Sequence, residues 1–309
     1  MAIPVFSRAQ VDAAVSPERA LEAVRNAFVA YARGEWTMPP KVYVPAYPAG
    51  DFRAMPALGA GHALLKWVTS FPGNPAQGLP TVSGLVLLSN ASNGMLVAAL
   101  DAGAVTALRT GAAAVLAAET LGRDGDAAVI GAGVNGRAVA RTFATRGRGV
   151  LVHDVDETRS RAVADELGAA VVARDEALSS PVVVTVTPGR EPVFAEGSLR
   201  PGQHVSLMGA DGPGKAEIAV GELARVHVFC DDWEQASHNG DLSHAVAASR
   251  IARADATQLG DVLAGTAQGR RTADEITVFD STGLAIQDLA IALAAVERAA
   301  ELDVPTIAL

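Results

Sequence analysis

The sequence predicts an α/β chain, a doubly wound parallel sheet preceded by a smaller α+β unit that a C-terminal helix completes. Two observations lead there. Residues 127–154 read AAVIGAGVNGRAVARTFATRGRGVLVHD: a strand-length apolar run, a glycine turn, then apolar residues at helical spacing. Further strand-length runs alternate with helix-period segments as far as residue 279, the order that builds a parallel sheet covered by helices on both faces. Upstream of residue 90, by contrast, short apolar runs are separated by proline and glycine, which suits a mostly antiparallel sheet.

Taken in order, Ser16-Pro17-Glu18 opens the first helix with a cap, a proline at the first helical position and an early acid. Leu21, Val24, Phe28 and Tyr31 form its stripe, and Gly34 ends it. VYV, ALLKWV and TVSGLVLL are strand-like and bring in Lys41, Arg53 and Lys66. Asp101 is placed to cap a small-residue helix over 102–121 whose interior cation is Arg109. Arg123-Asp124-Gly125-Asp126 marks a boundary. Beyond it the expected strands are 127–130, 150–153, 170–173, 182–187, 204–208, 226–230 and 276–279, with a final helix over 285–301. The expected domains are therefore 1–120, with 285–309 packing back on it, and 121–284.

Each residue of the glycine turn has a physical task. Gly131 turns the chain, Gly133 lets the backbone approach a pyrophosphate, and Gly136 lets helix and strand pack closely, as in a Rossmann fold. The N–H groups at Val134 and Asn135, where the helix starts, face the phosphates with the positive end of its dipole. Asp154 ends the next strand at the ~20-residue offset of a ribose ligand. Its carboxylate favours NAD, with NADP the alternative because Arg159 is close in sequence. Ligands of such sheets lie beyond the carboxyl ends of the strands, so Thr187-Pro188, Gly209-Ala210-Asp211 and Asp231-Asp232-Trp233 are the candidate segments, and Ser281 and Gly283 join the cofactor contacts.

The 309 residues include 25 basic and 34 acidic side chains, a net charge of −9. That balance opposes nucleic acid and anionic membrane surfaces as partners. Cys230 is the only cysteine, so no internal disulfide or thiolate cluster forms, and a reducing, cytoplasmic setting is expected. The N-terminus lacks the pattern of a signal peptide, and Arg109 interrupts the richest apolar stretch. His238, Asp241 and His244 share no clear helical or strand face, and no metal is expected.

Several stretches resemble the ornithine cyclodeaminase/mu-crystallin superfamily, and its archaeal-type alanine dehydrogenase branch most. They are MPPKVYV with GDFRAMPAL, FPGN with GLPT, VTALRTGAAA, the glycine turn, GADGPGKAEI, DDWEQASHNGD and ITVFDSTGLAIQDLA. The resemblance implies NAD(P)-linked oxidoreductase chemistry on a small amino or imino acid, with alanine/pyruvate the leading pair, and a homodimer formed through the N-terminal domain. It makes Lys41 and Arg53 substrate contacts, and Lys66 the lysine beside the reacting carbon. Arg109 would lie near the substrate carboxylate or the cofactor phosphate, with Asp211 beside the nicotinamide. Ornithine cyclodeaminases usually carry arginine where Lys41 stands, which weighs against a cyclodeaminase. That lyase, and a ketimine reductase or mu-crystallin-like binding protein, are the competing expectations.

The residue chemistry is compatible with this. Arg53 or Arg109 can hold a carboxylate with two parallel hydrogen bonds. A lysine among other cations has a lowered pKa, so Lys41 or Lys66 can exchange protons near neutrality, and Asp211 can serve as a base. Without the resemblance, Lys41 and Arg53 read as exposed loop cations, Lys66 as a solvent-facing strand residue, Arg109 as a salt-bridge residue and Asp211 as a turn residue.

Overall fold

The computed structural model describes residues 2–189, 191–212 and 214–308. The chain divides into two compact units, residues 1–109 with 284–309, and residues 110–283. The changeover falls inside a helix rather than at the polar segment 123–126, because the apolar helix runs unbroken through it.

The first unit begins with β1 (Ala2–Phe6), α1 (Arg8–Ala14), α2 (Pro17–Ala32), β2 (Val42–Ala46), β3 (Gly50–Gly59), β4 (His62–Ser70), β5 (Val82–Asn90), β6 (Leu96–Asp101) and the start of α3 (Ala102–Leu121). The Ser16 hydroxyl accepts from the Arg19 N–H at 3.3 Å, and Gly34 adopts φ +72° just past the end of α2, as the sequence requires. Asp101 accepts the Ala104 N–H at 2.6 Å, the expected cap of α3. By length and apolar content α3 resembles a membrane span despite Arg109, but 78% of that stretch is buried inside the protein, which is the environment of a core helix.

The second unit follows as β7 (Ala127–Ile130), α4 (Val134–Thr145), β8 (Val150–His153), α5 (Glu157–Leu167), β9 (Ala170–Val171), α6 (Arg174–Leu178), β10 (Val182–Thr185) and β11 (His204–Leu207). It continues with α7 (Val220–Leu223), β12 (His227–Cys230), α8 (Trp233–Asn239), α9 (Leu242–Ala247), β13 (Ala256–Gln258), α10 (Leu259–Leu263) and β14 (Thr277–Asp280). The chain then returns to the first unit with α11 (Ala285–Val296) and β15 (Thr306–Ala308). α11 stops at Val296 instead of continuing regularly to 301, where Glu297-Arg298 ends the apolar run.

Strands β15-β1-β6-β5-β4-β3-β2 form the sheet of the first unit, antiparallel except where β1 runs parallel to β6. Its odd residues on β3 and even residues on β4 and β5 are the buried ones, covered by α11, on which α2 packs in turn. Strand β3 escapes a reading of the sequence because Asp51 and Arg53 occupy its inward positions, inverting the usual apolar-inside alternation.

The second unit is an eight-stranded sheet, β13-β12-β14-β11-β10-β7-β8-β9, parallel throughout. Its central strands β7, β10, β11 and β14 are buried at every residue, which explains the apolar runs of β7 and β10; β11 and β14 bury His204, Ser206, Thr277 and Asp280 as well. The order reverses at β7, the switch point where such folds open a crevice. At the opposite, amino-terminal ends, Arg270 donates to the carbonyls of Leu121 at 2.6 Å and Gln203 at 3.2 Å, to the Thr277 hydroxyl at 2.9 Å, and to the Glu275 carbonyl. Arg270→Ala removes these four hydrogen bonds, while the Leu121 and Gln203 carbonyls keep bonds from the Thr277 hydroxyl and N–H, and is expected to cost about 1–2 kcal/mol, read as a lowered urea midpoint with an unchanged slope.

Candidate functional site

Two clusters stand out, one in each unit. In the first unit, Lys66 lies on the buried face of β4 with 1% exposure. Its Nζ donates to Asp288 Oδ1 at 2.9 Å, and Asp288, on α11, is 0% exposed. Arg109 brings its Nε to 3.8 Å from the same oxygen. Among the described residues, that Nε and Asp288 Oδ2 are both buried without a hydrogen-bond partner, so the cluster retains donor and acceptor capacity. Burial, followed by the charges of Arg109 and Arg53, lowers the Lys66 pKa while Asp288 raises it, and the outcome is about 8. Lys66 is therefore poised to exchange a proton near neutrality.

Arg53 is 7% exposed on β3, not an exposed loop cation. Its Nε and one Nη donate to the two oxygens of Asp51 at 2.6 and 3.2 Å, and its guanidinium lies 5.3 Å from the centre of the Tyr43 ring. The fork expected on a substrate carboxylate is thus committed along one edge to Asp51, while Arg109 has the orphaned donor. Lys41 immediately precedes edge strand β2 and is partly buried. Asp51 and Asp288 were not singled out from sequence. The available signal was an acid beside an arginine in GDFRAMP and a Gln-Asp pair inside an alanine-rich helix.

In the second unit the glycine turn has the required form. Gly131 has φ +101°, and a Cβ on Gly136 would stand 1.7 Å from the Gly131 carbonyl oxygen, whereas one on Gly133 would meet nothing within 4 Å. Closure at Gly136 beside open space at Gly133 is the cradle that a pyrophosphate needs. Val134 and Asn135 begin α4 behind it. Asp154 accepts the N–H of Ala132 at 2.6 Å and of Asp156 at 2.8 Å, which fixes its carboxylate beside the turn. Arg159 pairs with Asp156 at 3.3 Å, an alternative to serving a 2′-phosphate.

The remaining candidates follow β10, β11 and β14. Thr187 donates through its N–H and hydroxyl to Glu217 Oε1 at 2.7 and 2.8 Å. Ser281 and Gly283 both donate to Asp231 Oδ2, at 2.9 and 2.8 Å. Asp211 is ion-paired with Lys215 at 2.5 Å, which makes it an acceptor held in place. Pro213 of the adjoining turn lies outside the described residues. Asp241, considered with His238 and His244 in the sequence, instead accepts backbone N–H groups from Glu217 and Ile218. Glu217, which holds Thr187 in place, was not singled out from sequence, whereas Asp231, which holds Ser281 and Gly283, lies in the expected Asp231-Asp232-Trp233 segment.

A parallel sheet with a glycine-turn crevice, together with a buried lysine-arginine-aspartate cluster on a second sheet, defines a protein of the dinucleotide-binding α/β class. The chain belongs to the ornithine cyclodeaminase/mu-crystallin family, whose model matches residues 4–303. Alanine dehydrogenase of Archaeoglobus fulgidus is 40% identical over 309 residues, covering 96% of this chain and 94% of that protein. The solved archaeal alanine dehydrogenase dimer with bound NAD superposes with a TM-score of 0.93 at 40% identity, over 100% of this chain and 99% of the other. The Thermococcus litoralis Δ1-pyrroline-2-carboxylate reductase, in complex with NADH and L-proline, gives 0.92 at 27% identity over 99% and 100%.

Lys66 has a folded pKa of about 8, below its ordinary value of 10.5. Between these values the unfolded chain binds more protons than the folded one. The stability lost by burying Lys66 is therefore fully missing below pH 8 and is regained as pH rises toward 10.5. Lys66→Met leaves Asp288 buried beside Arg109 alone and is expected to destabilise by about 3 kcal/mol near neutrality. Lys66→Met with Asp288→Leu should recover that loss, as measured by urea unfolding at pH 7.

Proposed function

We propose that the chain is an NAD-dependent oxidoreductase acting on the CH–NH2 or C=N group of a small amino or imino acid, with alanine and pyruvate the leading pair. The observation that carries this reading is Lys66, buried, near-neutral in pKa and paired with Asp288 beside the orphaned Arg109 donor. NAD supplies the hydride acceptor or donor. Gly131, Gly133, Gly136 and the start of α4 would hold its phosphates, Asp154 its ribose, and Thr187, Ser281 and Gly283 its remainder. Arg109 and Arg53, with Lys41, would bind the substrate carboxylate. Lys66 moves the proton that accompanies conversion between amine and oxo acid, and Asp211 acts as the carboxylate partner of the amine. Asp154 selects NAD over NADP because its charge repels a 2′-phosphate.

The protein is also proposed to be a homodimer. On the face of the first sheet opposite α11, Ala54, Trp67 and Leu85 are cross-strand neighbours, as are Pro56, Leu65 and Leu87. Trp67 is 42% exposed and stacks on Phe52 at 5.7 Å, and Val42, Val44, Leu65 and Leu85 are exposed as well. An apolar surface of this kind is usually covered by a partner. Trp67→Glu is expected to shift the species seen by size-exclusion chromatography with light scattering from dimer to monomer. A wild-type chain that is monomeric at micromolar concentration would refute the dimer.

A screen of oxo acids with ammonia or methylamine, and of cyclic imines, with NADH and NADPH in parallel, tests the activity. Pyruvate with ammonia and NADH is expected to show net NADH oxidation. Ammonia release from ornithine without a net change in NADH would establish the lyase instead. Lys66→Met should lower kcat about 100-fold or more, whereas Arg53→Lys should mainly raise the KM for the oxo acid, and NADH affinity should hold in both. Equal, negligible effects would remove both residues from the site.

A further inference from the structure

Glu217 is fully buried at 0% exposure, follows no strand directly, and has no part in the reaction described above. Its oxygens nevertheless join two strand ends. Oε1 accepts the N–H and the hydroxyl of Thr187, beyond β10, at 2.7 and 2.8 Å, and Oε2 accepts the N–H of Gly209, beyond β11, at 2.7 Å. The two segments are in contact there, since a Cβ on Gly209 would fall 2.0 Å from the Thr187 carbonyl oxygen and 2.6 Å from Glu217 Oε1. The Glu217 backbone is anchored in turn: its N–H donates to Asp241 Oδ1 at 2.7 Å, and its carbonyl accepts from Val193 and Phe194 at 2.7 and 3.0 Å.

Burial raises the Glu217 pKa, while the N–H and hydroxyl donors of Thr187 and the N–H of Gly209 oppose that shift by stabilising the carboxylate. Burial and the Glu217 charge lift the neighbouring Asp241 carboxyl to about 8. A carboxylate that ties two strand ends, in a sheet whose ligands lie beyond those ends, sets the shape of the floor on which a ligand rests. A dinucleotide at a switch point spans two halves. The half marked by Gly133 and Asp154 belongs to β7 and β8, which leaves the other half to β10 and β11.

We propose that Glu217 is a positioning residue for the nicotinamide half of the dinucleotide, acting through the Thr187 and Gly209 segments that it clamps together. This rests on the dinucleotide reading of the second unit. Gln at this position would turn an amide N–H2 toward a donor and release one of the two segments, while the glycine turn and Asp154 stay as they are.

The test compares binding of NADH, by fluorescence titration, with binding of ADP-ribose, which lacks nicotinamide, by calorimetry. The Kd of Glu217→Gln for NADH is expected to rise about tenfold, with that for ADP-ribose unchanged within about twofold. Gly209→Ala, whose Cβ would press on both the Thr187 carbonyl and Glu217 Oε1 while keeping the carboxylate's charge, should show the same split and decides the matter alone if Glu217→Gln fails to fold. Equal loss of both ligands, or loss of neither, overturns the proposal and leaves the dinucleotide reading intact. A wild-type chain that binds neither ligand overturns both.

Discussion

The contact between Lys66 and Asp288 joins the two ends of the chain. β4 lies early in the sequence and α11 near its end, yet their one buried ion pair has full burial on both sides at 2.9 Å. Removing two charges from water costs several kcal/mol per ion before any attraction is counted. Such a pair stabilises the fold poorly compared with two apolar side chains of similar volume. Its persistence is better explained by what it does to Lys66: α11 supplies the one acid that opposes burial, Arg109 and Arg53 in setting the lysine near pH 8. Without α11 the first sheet would lack both its cover and the group that tunes its lysine.

The second unit uses carboxylates differently. Glu217, Asp231, Asp241 and Asp280 are all buried, and they accept chiefly from backbone N–H groups. Asp280 accepts from Leu242 at 2.8 Å, Asp241 from Glu217 and Ile218, and Asp231 from Gly283. In a parallel sheet the loops beyond the carboxyl ends have no ladder partners of their own, and an N–H buried there costs free energy unless an acceptor reaches it. Acidic side chains answer that need across neighbouring loops. The result is a rigid rim, with burial pushing the carboxyl groups of Glu217, Asp241 and Asp280 upward in pKa.

The sequence was informative where the chemistry is local. The glycine turn, the Ser16 and Asp101 caps and the buried parallel strands each follow from residues close together in the chain, and they reappear with shifts of one or two residues at strand ends. It was uninformative where two distant segments meet. Asp288 reads as an oddity in an alanine-rich helix until Lys66 is placed against it. Glu217 reads as one acid in GADGPGKAEI until the ends of β10 and β11 come together. β1 and β15 were invisible for the same reason: each is a short run whose pairing partner lies at the other end of the chain. Charged residues on the inward side of β3 hid that strand by breaking the alternation on which the reading depended.

Charge distribution links the two patterns. The chain is acidic overall at −9, yet the first unit gathers Lys41, Arg53, Lys66 and Arg109 on or next to one sheet and α3, opposed there by Asp51 and Asp288. A carboxylate ligand meets little attraction from the molecule as a whole, so the field that captures it has to be local. In a buried setting with low effective dielectric a few cations suffice, because their attraction is weakly screened. Such cations would repel one another if left bare. Pairing Arg53 with Asp51 and Lys66 with Asp288 keeps them in place while leaving a positive excess, and it is this excess, more than any single residue, that would make the sheet face selective for an anionic amino or oxo acid.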